Sequence, residues 1–261
     1  MLRLLNALPV ALALTALGAV ALFTVNCGSS NQAQVRFVHA IQDAGPLDID
    51  FNGTKKITDV TFFTLQPTTG YAAVPAGSDT IEGFQSGSTT TVAFTVSNVS
   101  LNSGSPYTVV ATGFDTGNQG SNVILLTPTD TNTAPANGSV NWRVIDASPS
   151  GPTSVDVYIL NSPFIGGLGC SQGNCPTLTI SSPVQSASGA VSSYKTLSYN
   201  SGGGGEVLYV CAAGTTNPII SGYPLANVGG ASVGSIRTLI LTDQQNGTQM
   251  NAQPIVLSDL N

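Results

Sequence analysis

Asp48 and Asp50 stand two apart in the alternating run Leu47-Asp48-Ile49-Asp50-Phe51. On a β-strand such a pair shares one face, so the carboxylates could serve as a glycosidase acid and base or as calcium ligands. Gly230-Ala231-Ser232-Val233-Gly234 fits the G-x-S-x-G pattern of a serine nucleophile, and Ser192-Ser193-Tyr194-Lys195 fits S-x-x-K. Neither serine pattern has its companions. A nucleophile elbow needs a strand, a sharp turn and a helix, whereas Ile236 to Leu241 reads as a strand; the one histidine, His39, precedes Ser232, opposite to the α/β-hydrolase order. No Lys-Thr-Gly or Ser-Asp-Asn accompanies Ser192, and both strings read as chance matches in a Ser/Gly-rich chain. His39 reads as a satisfied strand histidine, because no converging metal ligands are visible around it in the sequence.

The elements that would hold these groups are duplicated. Val35-Arg36-Phe37-Val38-His39-Ala40 leads through a Pro/Gly turn to Leu47–Phe51, and Trp142-Arg143-Val144-Ile145-Asp146-Ala147 leads through another to Val155–Ile159. The offsets are 143 − 36 = 107 and 156 − 48 = 108. A period of that length is a whole domain and not a solenoid unit. The second copy keeps Asp156 but has Tyr158 at the place of Asp50 and Asp146 at the place of His39. The shared residues Arg36, Asp48, Arg143 and Asp156 are therefore expected to be fold-determining pairs, each Arg reaching to its Asp on a solvent-facing strand surface. No catalytic residue, metal site or cofactor is assigned.

Composition fixes the class. Only 8% of the 261 residues are charged while 41% are hydrophobic, and 29 Gly and 15 Pro break β-rich runs into short segments. The reading is all-β, and no segment after the N-terminus has a helical period. Seven Lys and Arg against a net charge of −6 exclude a nucleic-acid partner, which needs clustered cations. Lys55-Lys56 follows the Asn52-Gly53 hairpin signal and reads as a solvated tip. Trp142 is assigned to a core. The Pro/Thr/Asn-rich stretch 128–138 is read as a linker between domains at 34–127 and 139–261.

The N-terminus points to export. Ala7 to Val25 is an uncharged, mostly apolar run after Arg3, and Cys27 opens a polar stretch. Residues 1–26 resemble a lipoprotein signal, with Cys27 lipidated and 27–33 as a tether, although Asn26 and Thr24 depart from the usual pattern. Cleavage after Ala21 with plain secretion, or an uncleaved anchor, are the alternatives. All three place the chain outside the cytoplasm, as an outer-membrane lipoprotein facing the periplasm or the cell surface in the first case. In that oxidising setting Cys170 and Cys175 are expected to close a disulfide across a polar loop, and Cys211, inside an apolar strand, to be a buried thiol. Zinc ligation by three cysteines lacks a paired histidine or second CxxC.

The Val-Arg-x-Val-His-Ala pattern, the alternating Asp strand, Asn52-Gly53, Val74-Pro75-Ala76-Gly77-Ser78 and Tyr107–Gly113 together resemble the bacterial domain-of-unknown-function family 4397. The resemblance covers most of 34–127; the second copy matches at its start and at Leu208–Gly214, while the Gly/Ser-rich stretch 162–205 departs from it. It implies an exported, often lipidated, often tandem β-sandwich, and no catalytic residues. The expected fold is two tandem immunoglobulin-like antiparallel β-sandwich domains behind an apolar signal segment. The expected function is a non-enzymatic, envelope-tethered binding, adhesion or structural module, with the membrane as one partner and an extracellular protein or glycan as another. The alternative is a hydrolase or glycan-active enzyme using Asp48/Asp50 or Ser232.

Overall fold

The computed structural model describes residues 31–115, 122–161, 177–180, 190–199, 206–215 and 218–259. Cys27, the apolar leader, and Cys170 with Cys175 lie outside the described residues. The described chain is all-β, with one short 3-10 turn at Leu225–Val228 and no helix long and apolar enough to cross a membrane.

Among the described residues four sheets are built from eighteen strands, and strand order repeats. In the first half, β1 (Gln32–Ile41) lies between β4 (Leu65–Gln66) and β8 (Pro106–Gly113), β9 (Ile124–Leu126) follows β8, and β5 (Ala72–Pro75) also pairs with β1. Its second sheet runs β3 (Thr54–Val60), β2 (Leu47–Phe51), β6 (Gly77–Gln85), β7 (Val92–Leu101). The second half repeats the first sheet with β13 (Ala190–Val191), β10 (Ser139–Ala147), β17 (Ile236–Thr242), β18 (Ile255–Ser258) and β14 (Lys195–Ser198). It repeats the other with β12 (Thr177–Ile180), β11 (Val155–Asn161), β15 (Glu206–Ala212) and β16 (Pro218–Pro224). Each strand number of the second half is that of the first plus nine.

Most pairs are antiparallel, but β1 with β8 and β10 with β17 are parallel, which corrects the wholly antiparallel expectation. The register sets Arg36 beside Thr108 and Arg143 beside Thr238. Strands buried on both faces read as near-continuous apolar runs, and β1 and β10 do so for a structural reason. Val35 and Phe37 face a core shared with Leu47, Ile49, Phe51, Ile81 and Phe94, while Val38 and Ala40, on the opposite face, meet Ile145, Ala147, Ile240 and Leu257 of the second half. Trp142 and Val144 face the second core, with Val157, Leu208 and Leu239. The two parallel-centred sheets therefore lie back to back between the two outer sheets.

Turns fall where the sequence places them. Asn52 and Gly53, at φ 50° and 73°, close the β2–β3 hairpin. The stretch 128–138 is not a linker throughout. Thr108 donates its N–H to Pro128 O at 3.2 Å and Asp130 donates to Pro106 O at 2.8 Å, so the chain stays pinned beside β8 as far as Asp130.

Candidate functional site

Among the described residues a buried polar cluster lies where the two inner sheets meet. Arg36 and Arg143 occupy equivalent places in β1 and β10, on the faces turned away from their own cores, and both are buried. Each is fixed first within its own half. Arg36 Nε donates to Thr108 Oγ1 at 2.8 Å, and Arg143 Nε to Thr238 Oγ1 at 3.0 Å. Each guanidinium then crosses to the other half. Arg36 bonds Asp259 through Nη2 and donates from Nη1 to Ser258 O at 2.6 Å, whereas Arg143 Nη2 donates to Asp130 Oδ1 at 2.5 Å and Nη1 to Thr129 O at 3.0 Å.

The carboxylates are held by their own halves. Asp130 accepts from Thr108 Oγ1 at 2.7 Å and from the Tyr71 hydroxyl at 2.7 Å; Asp259 accepts from Thr238 Oγ1 at 2.6 Å and from the Tyr194 hydroxyl at 2.7 Å. The same tyrosines present ring faces to the guanidiniums, Tyr71 to Arg36 at 5.3 Å and Tyr194 to Arg143 at 4.7 Å. Further ion contacts, Arg36 to Asp130 at 3.2 Å and Arg143 to Asp259 at 3.9 Å, close the square. Each half thus carries one Arg, one Thr, one Tyr and one Asp, and gives its Asp to the other half's Arg.

The electrostatics follow from that geometry. Burial alone would lower the Arg36 pKa, but Asp130 and Asp259 raise it above its ordinary value. Burial, with the neighbouring carboxylates, raises Tyr71 and Tyr194, so both stay protonated donors. Two cations and two anions balance, and the guanidinium and carboxylate groups face fixed partners. Such a cluster has no spare nucleophile or base; it is suited to fixing one sheet against another.

Asp48 and Asp156, proposed above as the partners of Arg36 and Arg143, do something else. Both are nearly buried, at 4% and 8% exposure, which corrects the solvent-face expectation. Asp48 accepts from Lys55 Nζ at 2.7 Å, from Asp59 N at 2.9 Å and from Gly87 N at 3.2 Å, while Asp156 accepts from Gly214 N at 2.9 Å. Gly87 and Gly214 follow β6 and β15, so each copy uses this Asp to tie its second strand to the turn after its sixth. Burial would raise the Asp48 pKa, yet the Lys55, Asp59 and Gly87 bonds hold it below the usual value.

Ser192, Ser232 and His39 are likewise taken up by backbone, whereas Asp50, half-buried in β2, has a carboxylate Oδ1 with no hydrogen-bond partner among the described residues. Ser192 exchanges both bonds with Val144, N to O at 2.9 Å and Val144 N to Oγ at 2.8 Å. Exposed Ser232 lies in the turn before β17, its N–H and carbonyl both bonded to Ser235 Oγ, at 3.0 and 2.7 Å. The segment that follows is a strand, as expected. His39 accepts from Ile41 N at Nδ1 (3.2 Å), with Nε2 3.0 Å from Gly45 O. Asp146 fills the equivalent place, accepting from Ser148 N at 3.1 Å. A histidine and an aspartate thus do the same job, capping the backbone two residues on. Trp142 is fully buried and donates to Glu206 Oε1 at 3.2 Å. Cys211 is buried in β15.

Among the described residues no three of His, Cys, Asp and Glu converge as a metal-binding group. A cavity of about 300 Å³ beside Arg36 is shared between Leu65 and Thr68–Gly70 of the first half and Val256–Ser258 of the second. The residues missed by sequence reasoning, Asp130 and Asp259 with Tyr71 and Tyr194, had one available signal. Asp130 and Asp259 each come after the last strand of a copy, β9 and β18, and each directly follows a hydroxyl residue, Thr129 and Ser258, at an offset of 259 − 130 = 129.

The fold and this cluster define an all-β protein of stacked sheets, locked at its centre by a reciprocal exchange of charges. The chain belongs to the domain-of-unknown-function family DUF4397, whose profile matches residues 33–170. That match runs through the whole first half and into β10 and β11. No curated protein matches significantly. Among solved structures, the chain is similar to one from Bacteroides uniformis ATCC 8492, described as a candidate cell adhesion protein. The identity is 7%, coverage 87% of this chain and 99% of that one, and the TM-score 0.29.

Proposed function

We propose that the chain is an exported, non-enzymatic module that presents a binding or adhesive surface from the cell envelope. It is built as two tandem immunoglobulin-like sandwich domains and tethered to the outer membrane through a lipid on Cys27, with an extracellular protein or glycan as its ligand. The observation that carries this reading is the use made of the chain's polar chemistry. Its buried Arg and Asp groups join the two halves into one body, and the groups that resemble catalytic motifs, Ser192, Ser232, His39 and Asp48, hold turns and strands in place. A rigid two-part body suits presentation at a surface, where a floppy junction would cost orientation.

The test is the mass of the mature N-terminus from fractionated cells, together with binding of the purified chain to extracellular proteins and glycans. The expected results are a lipid-modified chain starting at Cys27 in the membrane fraction, and ligand binding without turnover. A soluble chain starting at Leu22 would overturn the tether, and turnover lost in Ser232→Ala or Asp50→Asn would overturn the non-enzymatic reading.

A further inference from the structure

We propose that the cavity at the seam of the two halves is a binding site for one N-acetylated hexosamine unit, whose acetamido carbonyl accepts a hydrogen bond from Arg36. The proposal rests on the reading of the chain as a binding module and not on its tether. A guanidinium carries five N–H groups. In Arg36 the one on Nε goes to Thr108 Oγ1, one on Nη1 goes to Ser258 O, and the pair on Nη2 faces Asp259 and Asp130. The second N–H of Nη1 has no acceptor among the described residues, although Arg36 is only 3% exposed. A buried charged donor without an acceptor is costly, and Arg36 lines the cavity.

The lining selects what can fill that place. Leu65, Val256 and Leu257 give it apolar walls, and the exposed hydroxyl residues Thr68, Thr69 and Ser258 stand at its rim. An anion gains little here, because Asp130 and Asp259 already balance the two arginines and the chain carries a net charge of −6. A neutral carbonyl gains a charge-assisted hydrogen bond without bringing a third negative charge to the two carboxylates. An acetamide joins such a carbonyl to a methyl group that suits the apolar walls, and sugar hydroxyls suit the threonines. The space, about 300 Å³, is at the small end of ligand sites and fits one sugar unit; it has room for about ten waters, so a single bridging water leaves most of it unfilled. Arg36 is fixed by Thr108, Asp259 and the Tyr71 ring before any ligand arrives, so little ordering is lost on binding.

The test titrates the purified full chain in detergent with the methyl glycosides of N-acetylglucosamine and N-acetylgalactosamine, and with those of glucose and galactose as counterparts without the acetamide. Protein-observed NMR is expected to show shifts at the Arg36 Nε–H and at the Leu65, Val256 and Leu257 methyl groups, with a dissociation constant on the order of 1 mM for so small a ligand. The sugar without the acetamide should bind at least about tenfold more weakly. Thr68→Trp and Thr69→Trp fill the rim outside both cores; each should keep the parent's unfolding midpoint and weaken the acetylated sugar at least about tenfold. Shifts that map elsewhere, equal affinity with and without the acetamide, unchanged affinity in the folded rim variants, or no binding of either acetylated sugar would overturn the proposal. If neither rim variant folds, the shift map of the parent decides alone. The binding-module reading falls separately, when extracellular proteins and other glycans fail to bind as well.

Discussion

Arg143 donates to Asp130 across only thirteen residues of sequence (143 − 130 = 13), yet the bond joins two halves of the fold, at 2.5 Å between Nη2 and Oδ1. The short path is possible because Asp130 is pinned beside β8 in the first half while Arg143 points out of the second half's core. Asp259 and Arg36 complete the exchange across 259 − 36 = 223 residues. The junction therefore closes only when the last described strand is in place.

Asp130→Ala is expected to lower stability by about 3–5 kcal/mol, since it leaves two buried guanidiniums short of a counter-charge. Asp259→Ala is expected to match it. Because both carboxylates serve both arginines, the double variant should fall short of the sum of the two by more than about 0.5 kcal/mol. Urea unfolding of the three variants measures this. Losses below about 1 kcal/mol, or strict additivity, would show the square to be four independent contacts.

How much of this was legible is clearest at the arginines. Their equivalence shows in the repeated strand, and their partners did not, because the nearest repeated carboxylates, Asp48 and Asp156, were the natural choice within a hairpin. The true partners come after β9 and β18, and strand-order reversal through a parallel pair is not encoded in local pattern. The all-β class, the Asn52-Gly53 hairpin and the Trp142 core position were readable, since each rests on periodicity or turn chemistry. The linker boundary failed at Asp130, because a Pro/Thr-rich stretch has the composition of a linker whether or not its backbone is bonded to a strand.

Asp48→Ala should cost about 2–3 kcal/mol by chemical denaturation, since it strips acceptors from the Asp59 and Gly87 N–H groups. Lys55→Ala should cost no more than about 1 kcal/mol, because the Lys55 side chain is 37% exposed and its ion pair is screened. Equal effects would mean that the ion pair, and not the backbone tie, is what Asp48 supplies.

Gly83 lies in β6 where the Phe94 ring crosses it, and a Cβ built there would stand 2.2 Å from Phe94 Cε1. Gly83→Ala is expected to destabilise by about 1–3 kcal/mol through displacement of a ring packed in the first core. Phe94→Leu in the same background should recover part of the loss if the clash is with the ring. No recovery in thermal unfolding would place the strain in the backbone.

His39 and Asp146 share a position in the repeat and are expected to respond to pH with opposite signs. Burial lowers the His39 pKa to about 4, against bonds to the backbone of Gly45 and Ala44 that raise it. An unfolded histidine near 6.5 takes a proton first, so the His39 contribution is complete above about pH 6.5 and is lost as pH falls toward 4. Burial raises Asp146 to about 7, opposed by the Ser148 N–H and reinforced by Asp243. Here the folded state holds the proton more tightly, so stability falls as pH rises from about 4 to about 7 and is level above that. Asp146→Asn keeps an acceptor for Ser148 N and removes the charge; it should abolish that fall and add about 1–2 kcal/mol at pH 8. His39→Asn should instead flatten the acid limb below pH 6.5. Melting temperatures of the two variants and the parent between pH 4 and 8 decide the matter: wild-type pH curves in both variants would mean that neither group titrates differently on folding.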